Sequence, residues 1–174
     1  YNPENFEPTE DLFKKSWKTC EDAIGALDVN LPEDENMKAG SKHHKLLEMV
    51  PPGDNYLYFT KERGHSDPVF RWRSRYWSFL LKLSPSKPSW TIQASHSNNM
   101  GPFHWKNRFL RIAEIKRIQT FDDNYKITGD YKTQWRQIGN AVPPLLAQVF
   151  AEAIHEQYFG IPKLKSQKAR FMRK

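Results

Sequence analysis

Two consecutive prolines, Pro143 and Pro144, directly precede a long stretch of helical periodicity in this chain of 174 residues. Proline fits only the first turn of a helix, because it lacks an N–H group and its ring clashes with a preceding turn. Apolar side chains then recur every three or four residues, at Leu146, Val149, Phe150, Ala153, Ile154 and Tyr158. The pattern predicts an amphipathic helix that starts at the proline pair.

Shorter helical patterns precede this helix. Apolar spacing predicts one or two helices between residues 9 and 31, a helical turn over 46–50 that Pro51 ends, and a helix over about 110–121. The stretch 31–40 is acidic and contains Pro32 and Gly40, so we expect it to be an exposed, solvated loop.

The middle of the chain favours short strands. The segments 69–73, 78–83 and 90–94 are rich in aromatic and β-branched residues and are bounded by proline and serine. The fold class that we expect is therefore α+β, with a small, irregular, β-rich subdomain between flanking helices.

The formal charge is distributed unevenly. Residues 1–60 contain 6 Lys/Arg and 12 Asp/Glu (−6), residues 61–111 contain 10 and 2 (+8), and residues 112–174 contain 11 and 6 (+5). A basic segment can neutralise phosphates, and aromatic residues, 14% of the chain, supply planes on which bases stack. The alternative is an ordinary solvated basic face.

The sequence also bears on compartment and metal binding. The single cysteine cannot form an internal disulfide, and neither a secretory leader nor an apolar run of about 18 residues is visible. We expect a soluble protein of the bacterial-type cytoplasm with no membrane partner. The pair His43-His44 lacks further ligands at zinc spacing, so we expect no metal site. Because the chain starts at Tyr1 without an initiating Met, we expect a fragment, a processed chain or the ordered part of a larger one.

Two motifs near the end of the chain resemble the ninth and tenth conserved motifs of the DNA cytosine-5 methyltransferases. The first spans 104–123, with matches at Arg108, Leu110, Glu114, Arg117, Gln119, Phe121 and Asp123. The second spans 136–144 and contains Gly139-Asn140-Ala141-Val142. The segments 21–27, 49–55 and 87–94 are similar to further parts of that family. The first motif departs from the family at three positions: Arg111 replaces a usual threonine, Ala113 a common arginine and Asp122 a usual proline.

The resemblance implies that this chain is the C-terminal portion of such an enzyme and completes a larger Rossmann-like α/β methyltransferase fold. Residues 1–29 would be a helical lead-in, 30–107 the target recognition subdomain, 108–160 the brace and cofactor-closing helices, and 161–174 a mobile basic tail. The assembled enzyme would transfer a methyl group from S-adenosylmethionine to C5 of cytosine in double-stranded DNA. Its N-terminal catalytic half would belong to the same polypeptide or to a separate subunit.

The resemblance also assigns roles to residues. Gly139, Asn140, Ala141 and Val142 would close over the S-adenosylmethionine pocket. Arg108, Glu114, Arg117 and Gln119 would form a structural brace. The residue types agree, because the two arginines and Glu114 can form a partly buried charged network while Ile112, Ile115 and Ile118 pack inward.

The variable segment before these motifs interleaves guanidinium groups with aromatic rings. Arginine pairs with guanine or phosphate, and tryptophan or tyrosine can stack near a displaced base. The expected DNA contacts are Arg71, Trp72, Arg73, Arg75, Tyr76, Trp77 and Lys106. The structural alternative is a strand with Trp72 and Ser74 on one face and the arginines on the other.

The chemistry-bearing motifs of the family are absent from this chain. Its members attack cytosine with a cysteine in a Pro-Cys loop, use a Glu-Asn-Val segment and hold most of the cofactor with a glycine-rich motif. Cys20 follows Thr19 instead of proline and reads as a structural residue. We therefore expect no catalytic residue here and an inactive isolated chain. The alternatives are a non-catalytic DNA-binding or regulatory remnant, or an RNA-binding protein.

Overall fold

A computed structural model describes residues 17–95 and 97–160. Within them lie five α-helices: α1 (Cys20–Ile24), α2 (His44–Met49), α3 (Ile112–Ile118), α4 (Tyr131–Asn140) and α5 (Pro144–Phe159). Short 3-10 helices span Gly25–Leu27, Pro32–Met37, Ser41–His43, Tyr56–Phe59 and Lys61–Arg63. The basic tail and the start of the lead-in, expected from the sequence, lie outside the described residues.

Local capping explains where several helices begin. At α1, the Thr19 side chain accepts from the Asp22 N–H group while the Asp22 carboxylate accepts from the Thr19 N–H group, a reciprocal capping box. Asp130 caps α4 by accepting from the Thr133 N–H group. The predicted start of α5 at the proline pair is confirmed, with Pro144 as its first residue.

The other helical predictions need correction. Helix α3 is shorter than predicted, and α2 begins two residues earlier. Helix α4 was not predicted at all, and its last two residues are Gly139 and Asn140. The stretch 31–40 is exposed at Pro32, Glu33, Glu35, Asn36 and Lys38, as predicted. It is not an irregular loop, because a 3-10 helix occupies Pro32–Met37, and its end is anchored by the fully buried Ala39. Lys38 forms a β-bridge with Arg108, which ties this stretch to the second half of the chain.

The prediction of a β-rich subdomain is wrong for the described residues, which are rich in helices and turns. Their β-pairing is limited to isolated bridges, among them Phe79 with Met100 and Lys82 with Phe103. Arg73 and Leu80 have φ values of 51° and 52°, and a positive φ interrupts an extended strand. Phe79, Leu80, Leu83 and Ile92 are therefore buried without forming a ladder, whereas Val69, Trp72, Trp77 and Trp90 remain exposed.

Two hydrophobic clusters organise the described residues. The first comprises Ala39, Leu47, Val50, Tyr56, Leu57, Phe59, Phe79, Leu80 and Phe103. The second comprises Cys20, Ile24, Leu83, Ile92, Leu110, Ile115, Trp135 and Ile138. Burial raises the pKa of the Cys20 thiol to about 11, as suits a structural cysteine.

Helix packing builds the second cluster. Helix α1 packs against α3, and α3 packs against α4. Backbone hydrogen bonds from Cys20 to Lys87 and from Glu21 to Pro85 attach α1 to the middle of the chain. None of the helices in the described residues has the length and apolar character needed to cross a membrane.

Candidate functional site

A buried ion pair lies at the junction of the two clusters. Arg108 donates from both terminal nitrogens to Glu114, at 2.9 Å to Oε2 and 2.7 Å to Oε1. Both residues are buried, and Glu114 also accepts from the Arg111 N–H group at 2.7 Å. Burial opposes the charge on Arg108, but the hydrogen bonds and the charge of Glu114 outweigh it and raise the pKa of Arg108. This bidentate pair fixes the segment before α3 against the first turn of α3, which carries Glu114.

Arg111 extends this site to the start of the chain. Its guanidinium donates to Asp34 at 3.0 and 2.5 Å and to the carbonyl oxygens of Leu27 and Val29 at 2.8 and 2.7 Å. The hydrogen bonds from Arg111 hold the pKa of Asp34 below its usual value. Sequence reasoning treated Arg111 as a departure from the family motif and missed this role. The surplus of carboxylates in residues 1–60 could have indicated this role, because these acidic residues need basic partners from elsewhere in the chain.

His104 completes the charged cluster. Its ring is fully buried, with Nε2 at 3.6 Å from Asp28 Oδ1 and 3.7 Å from Glu114 Oε1. Burial and the charge of Arg108 lower the pKa of His104 to about 4, so the ring is neutral near pH 7. Lys106 Nζ lies 2.9 Å from Asp28 Oδ1, which places this expected DNA contact at the rim of the cluster.

Arg117 and Gln119 lie apart from this network. Arg117 pairs instead with Asp123, at 2.9 and 2.7 Å, on a partly exposed surface. Gln119 donates to the carbonyl oxygen of Ile138 at 3.4 Å and so links α3 to α4. The expected three-residue network is corrected to Arg108 and Glu114, joined by Arg111, His104 and the two aspartates.

Gly139 allows α4 to approach the segment before it very closely. A Cβ atom at this position would lie 2.8 Å from Ala94 Cα and 2.8 Å from the Gln93 carbonyl oxygen, too close for any side chain. The Trp135 indole donates to the same carbonyl oxygen at 2.7 Å. The backbone at Gly139 therefore packs directly against the segment 93–94.

A cavity of about 510 Å³ opens between one side of α4 and the segment 94–95. Its lining includes Asn140, Arg136, Lys132 and Ser95. Ala141 is half-buried and Val142 is exposed. The amide of Asn140 and the two cationic side chains fit the polar and carboxylate groups of an amino-acid-containing ligand such as S-adenosylmethionine, and they form one open wall.

The segment 71–77 is exposed along its whole length. Two buried residues hold its backbone in place. The Tyr56 hydroxyl donates to the Arg75 carbonyl oxygen at 2.8 Å, and the Asn55 side-chain amide donates to the Trp77 carbonyl oxygen at 2.8 Å. The Arg73 guanidinium lies 5.8 Å from the Trp72 ring. The alternative of a two-faced strand is excluded, because the segment forms turns and neither side of it is buried.

Comparison with known proteins gives consistent matches. The family described as C-5 cytosine-specific DNA methylase matches residues 3–156. The chain is 41% identical to the type II methyltransferase M.SacI of Streptomyces achromogenes over 157 residues, which cover 84% of this chain and 40% of that protein. It is 27% identical to the type II methyltransferase M.BbvI of Brevibacillus brevis, over 93% of this chain and 44% of that protein.

A shorter relative also matches. The type II methyltransferase M.AquIB of Picosynechococcus sp. is 36% identical over 96 residues, which cover 48% of this chain and 68% of that protein. A search of solved structures finds no match. The chain thus spans less than half of M.SacI and M.BbvI, and the family match covers most of its own length. On this basis the chain belongs to the C-5 cytosine-specific DNA methylase family.

Proposed function

We propose that this chain is the C-terminal, DNA-recognising portion of a DNA cytosine-5 methyltransferase and completes a Rossmann-like catalytic half. The assembled enzyme transfers a methyl group from S-adenosylmethionine to C5 of cytosine in double-stranded DNA, in the cytoplasm of a bacterial-type cell. The observation that carries the proposal is the uncovered apolar face of α5.

Helix α5 exposes side chains that normally lie in a protein core. Val149, Phe150 and Ile154 are 60, 59 and 53% exposed, and Tyr158 is 75% exposed. A contiguous apolar patch of this kind marks an interface, since burying it gains roughly 25 cal/mol per Å². The face therefore suits a hydrophobic partner surface, which the proposal assigns to the N-terminal catalytic half.

The lengths of the relatives support a division into two parts. M.SacI and M.BbvI each extend well beyond the region that matches this chain. M.AquIB is itself shorter than this chain, because 96 residues make up 68% of it. The catalytic half can accordingly belong to the same polypeptide or to a separate subunit.

DNA recognition is assigned to residues 30–107. The exposed arginines Arg71, Arg73 and Arg75 would contact phosphate or guanine, and Trp72, Tyr76 and Trp77 would face the bases. Lys106 would add a phosphate contact from the rim of the charged cluster. Arg108, Glu114 and Gln119 would hold the recognition region and α4 in a fixed orientation, and Arg117 would hold the turn after α3 through Asp123.

The cofactor wall is assigned to the end of α4 and the turn after it. S-adenosylmethionine supplies the methyl group when bound. Gly139 keeps α4 against the segment 93–94, Asn140 offers an amide donor and acceptor, and Ala141 and Val142 present an apolar surface toward the catalytic half. The remaining walls of the pocket would come from that half.

The deciding experiment is reconstitution. The 174-residue chain alone is expected to transfer no methyl group from radiolabelled S-adenosylmethionine to DNA, whereas adding its cognate N-terminal half should restore transfer. Methylation by the isolated chain would overturn the assignment of the chemistry to the other half. Duplex binding without restoration by any such half would favour the non-catalytic remnant, and competition by RNA over duplex DNA would favour the RNA-binding alternative.

A further inference from the structure

An aromatic cleft opens beside the exposed basic segment. The rings of Trp77 and Trp90 meet edge to face, with centroids 5.5 Å apart and an interplanar angle of 62°. They border a cavity of about 570 Å³, which Tyr76, Gln93 and Gly101 also line. A cavity of this size falls within the roughly 300–1,000 Å³ of sites that bind small molecules.

The walls of this cleft are fixed by contacts beneath them. The Gly101 N–H group donates to the Ser78 carbonyl oxygen at 2.7 Å. A Cβ atom at Gly101 would lie 2.1 Å from the Leu81 carbonyl oxygen, so the backbone here packs without room for a side chain. At Gln93, a second lining residue, the carbonyl oxygen accepts a hydrogen bond from the Trp135 indole. The cleft is therefore preformed.

The exposed surface of the cleft combines flat apolar rings with positive charge. Tyr76, Trp77 and Trp90 are 82, 50 and 44% exposed. Arg71, Arg73 and Arg75 belong to the same segment, and no carboxylate in the described part of the chain forms an ion pair with them. A ligand complementary to this surface has a planar apolar face with negative charge beside it. A nucleotide has both features, in its base and its phosphate.

We propose that this cleft receives an unstacked nucleobase of the bound DNA, stacked on Trp77 or Trp90, with the neighbouring phosphates at the arginines. The inference rests on the proposed function and specifies how the recognition region contacts DNA. Gln93 is exposed at the cleft and carries an amide that can both donate to and accept from a base edge.

The test compares two labelled duplexes that bind the full 174-residue chain. One duplex is fully paired, and the other contains a single unpaired, extrahelical base. Fluorescence anisotropy is expected to give about tenfold tighter binding to the second, because base–aromatic stacking rewards a base that is already unstacked. Trp77→Ala and Trp90→Ala should each lose this preference, so that each variant binds the two duplexes with equal affinity.

Two further variants make the test specific. Trp72→Ala removes an exposed tryptophan outside the cleft and should keep the preference. Trp77→Phe retains an aromatic face, so a preference lost in Trp77→Ala and kept in Trp77→Phe assigns the effect to stacking, whereas its loss in both would overturn stacking at this position.

The outcomes separate this inference from the proposed function. Equal affinity of the wild-type chain for the two duplexes, or a preference that survives both alanine variants, would overturn the base-binding cleft and leave DNA recognition standing. Failure to bind either duplex would overturn both proposals.

Discussion

Glu114 is a fully buried carboxylate that accepts hydrogen bonds from the Arg108 guanidinium and the Arg111 N–H group. Replacing Arg108 with Met removes two of its hydrogen bonds and its main countercharge. Because an uncompensated buried charge is costly, we expect Arg108→Met to lower the free energy of unfolding by about 3–5 kcal/mol, measured by urea denaturation.

The matched control is Arg117→Met, which breaks the partly exposed pair with Asp123. Solvent screens such pairs, so the loss should be under about 1 kcal/mol. Equal losses in the two variants would contradict the view that Arg108 and Glu114 hold the junction.

His104 gives the chain a specific pH dependence. Its folded pKa of about 4 lies below the roughly 6.5 of an exposed histidine, so between these values the unfolded chain takes up a proton that the folded chain does not. The contribution of His104 to stability is complete above pH 6.5 and is lost as the pH falls toward 4, by up to about 3 kcal/mol. Asp28 and Glu114 face the ring and favour its protonation, whereas Arg108 and Lys106 oppose it.

The variant His104→Asn tests this assignment. Asparagine can still accept from the Lys106 N–H group, as His104 Nδ1 does at 3.1 Å, but it does not titrate. The urea midpoint of the variant should therefore change less between pH 6.5 and pH 4.5 than that of the wild type. The pKa of Asp28 is below its usual value, so protonation of Asp28 affects stability only at pH values lower than those compared here. Identical slopes for the two proteins would refute the role of His104.

At the residue scale, the family motif identified Arg108 and Glu114 but not their wider network. Arg111 and Asp34 are distant in sequence, and Asp34 lies in a stretch that its acidic composition marked as solvated. Only the fold brings the two side chains together. No spacing rule connects positions so far apart.

Among the helices, the packing of α4 depends on Gly139, because the close backbone contact at this position leaves no room for a side chain. Gly139→Ala would place a Cβ atom against the backbone of Ala94 and Gln93, which cannot move independently. We expect a loss of about 1–3 kcal/mol and a lower melting temperature by circular dichroism.

Gly25→Ala is the control for this substitution. Gly25 has a helical φ of −56°, and the nearest atoms to its added Cβ belong to the flexible Glu21 side chain, which can rotate away. This variant should be close to neutral. A comparable loss would show that added volume in itself, and not the contact between α4 and the segment 93–94, causes the effect.

A helix or strand was predicted correctly when the residues that determine it lie within its own sequence. Helix α5 was predicted well because its proline pair and its apolar stripe both lie within its own sequence. Helix α4 was missed because only Trp135 and Ile138 of its residues are buried, which leaves little apolar periodicity in its sequence. The strands were predicted wrongly because strand-forming residues need a neighbouring strand to pair with, and packing around Tyr56 and Phe79 supplies a globular core instead.

For the molecule as a whole, the exposed face of α5 is expected to matter for assembly and not for folding. Phe150→Lys places a charge within the apolar stripe, at a side chain that is 59% exposed. We expect unchanged thermal unfolding of the isolated chain and at least tenfold weaker association with the catalytic half in reconstituted methylation assays. Gln148→Lys adds the same charge beside Glu152 and should leave association unchanged. Equal effects of the two variants would argue against a docking role for the stripe.

The uncovered face of α5 also makes protein concentration an experimental variable. Two copies of the same apolar stripe can bury each other, so self-association is expected to compete with the proposed catalytic half as the chain becomes concentrated. Measured affinities for the catalytic half should then fall as the total concentration of this chain rises, and dilution should restore them. Assays at a low concentration of this chain would keep this competition small.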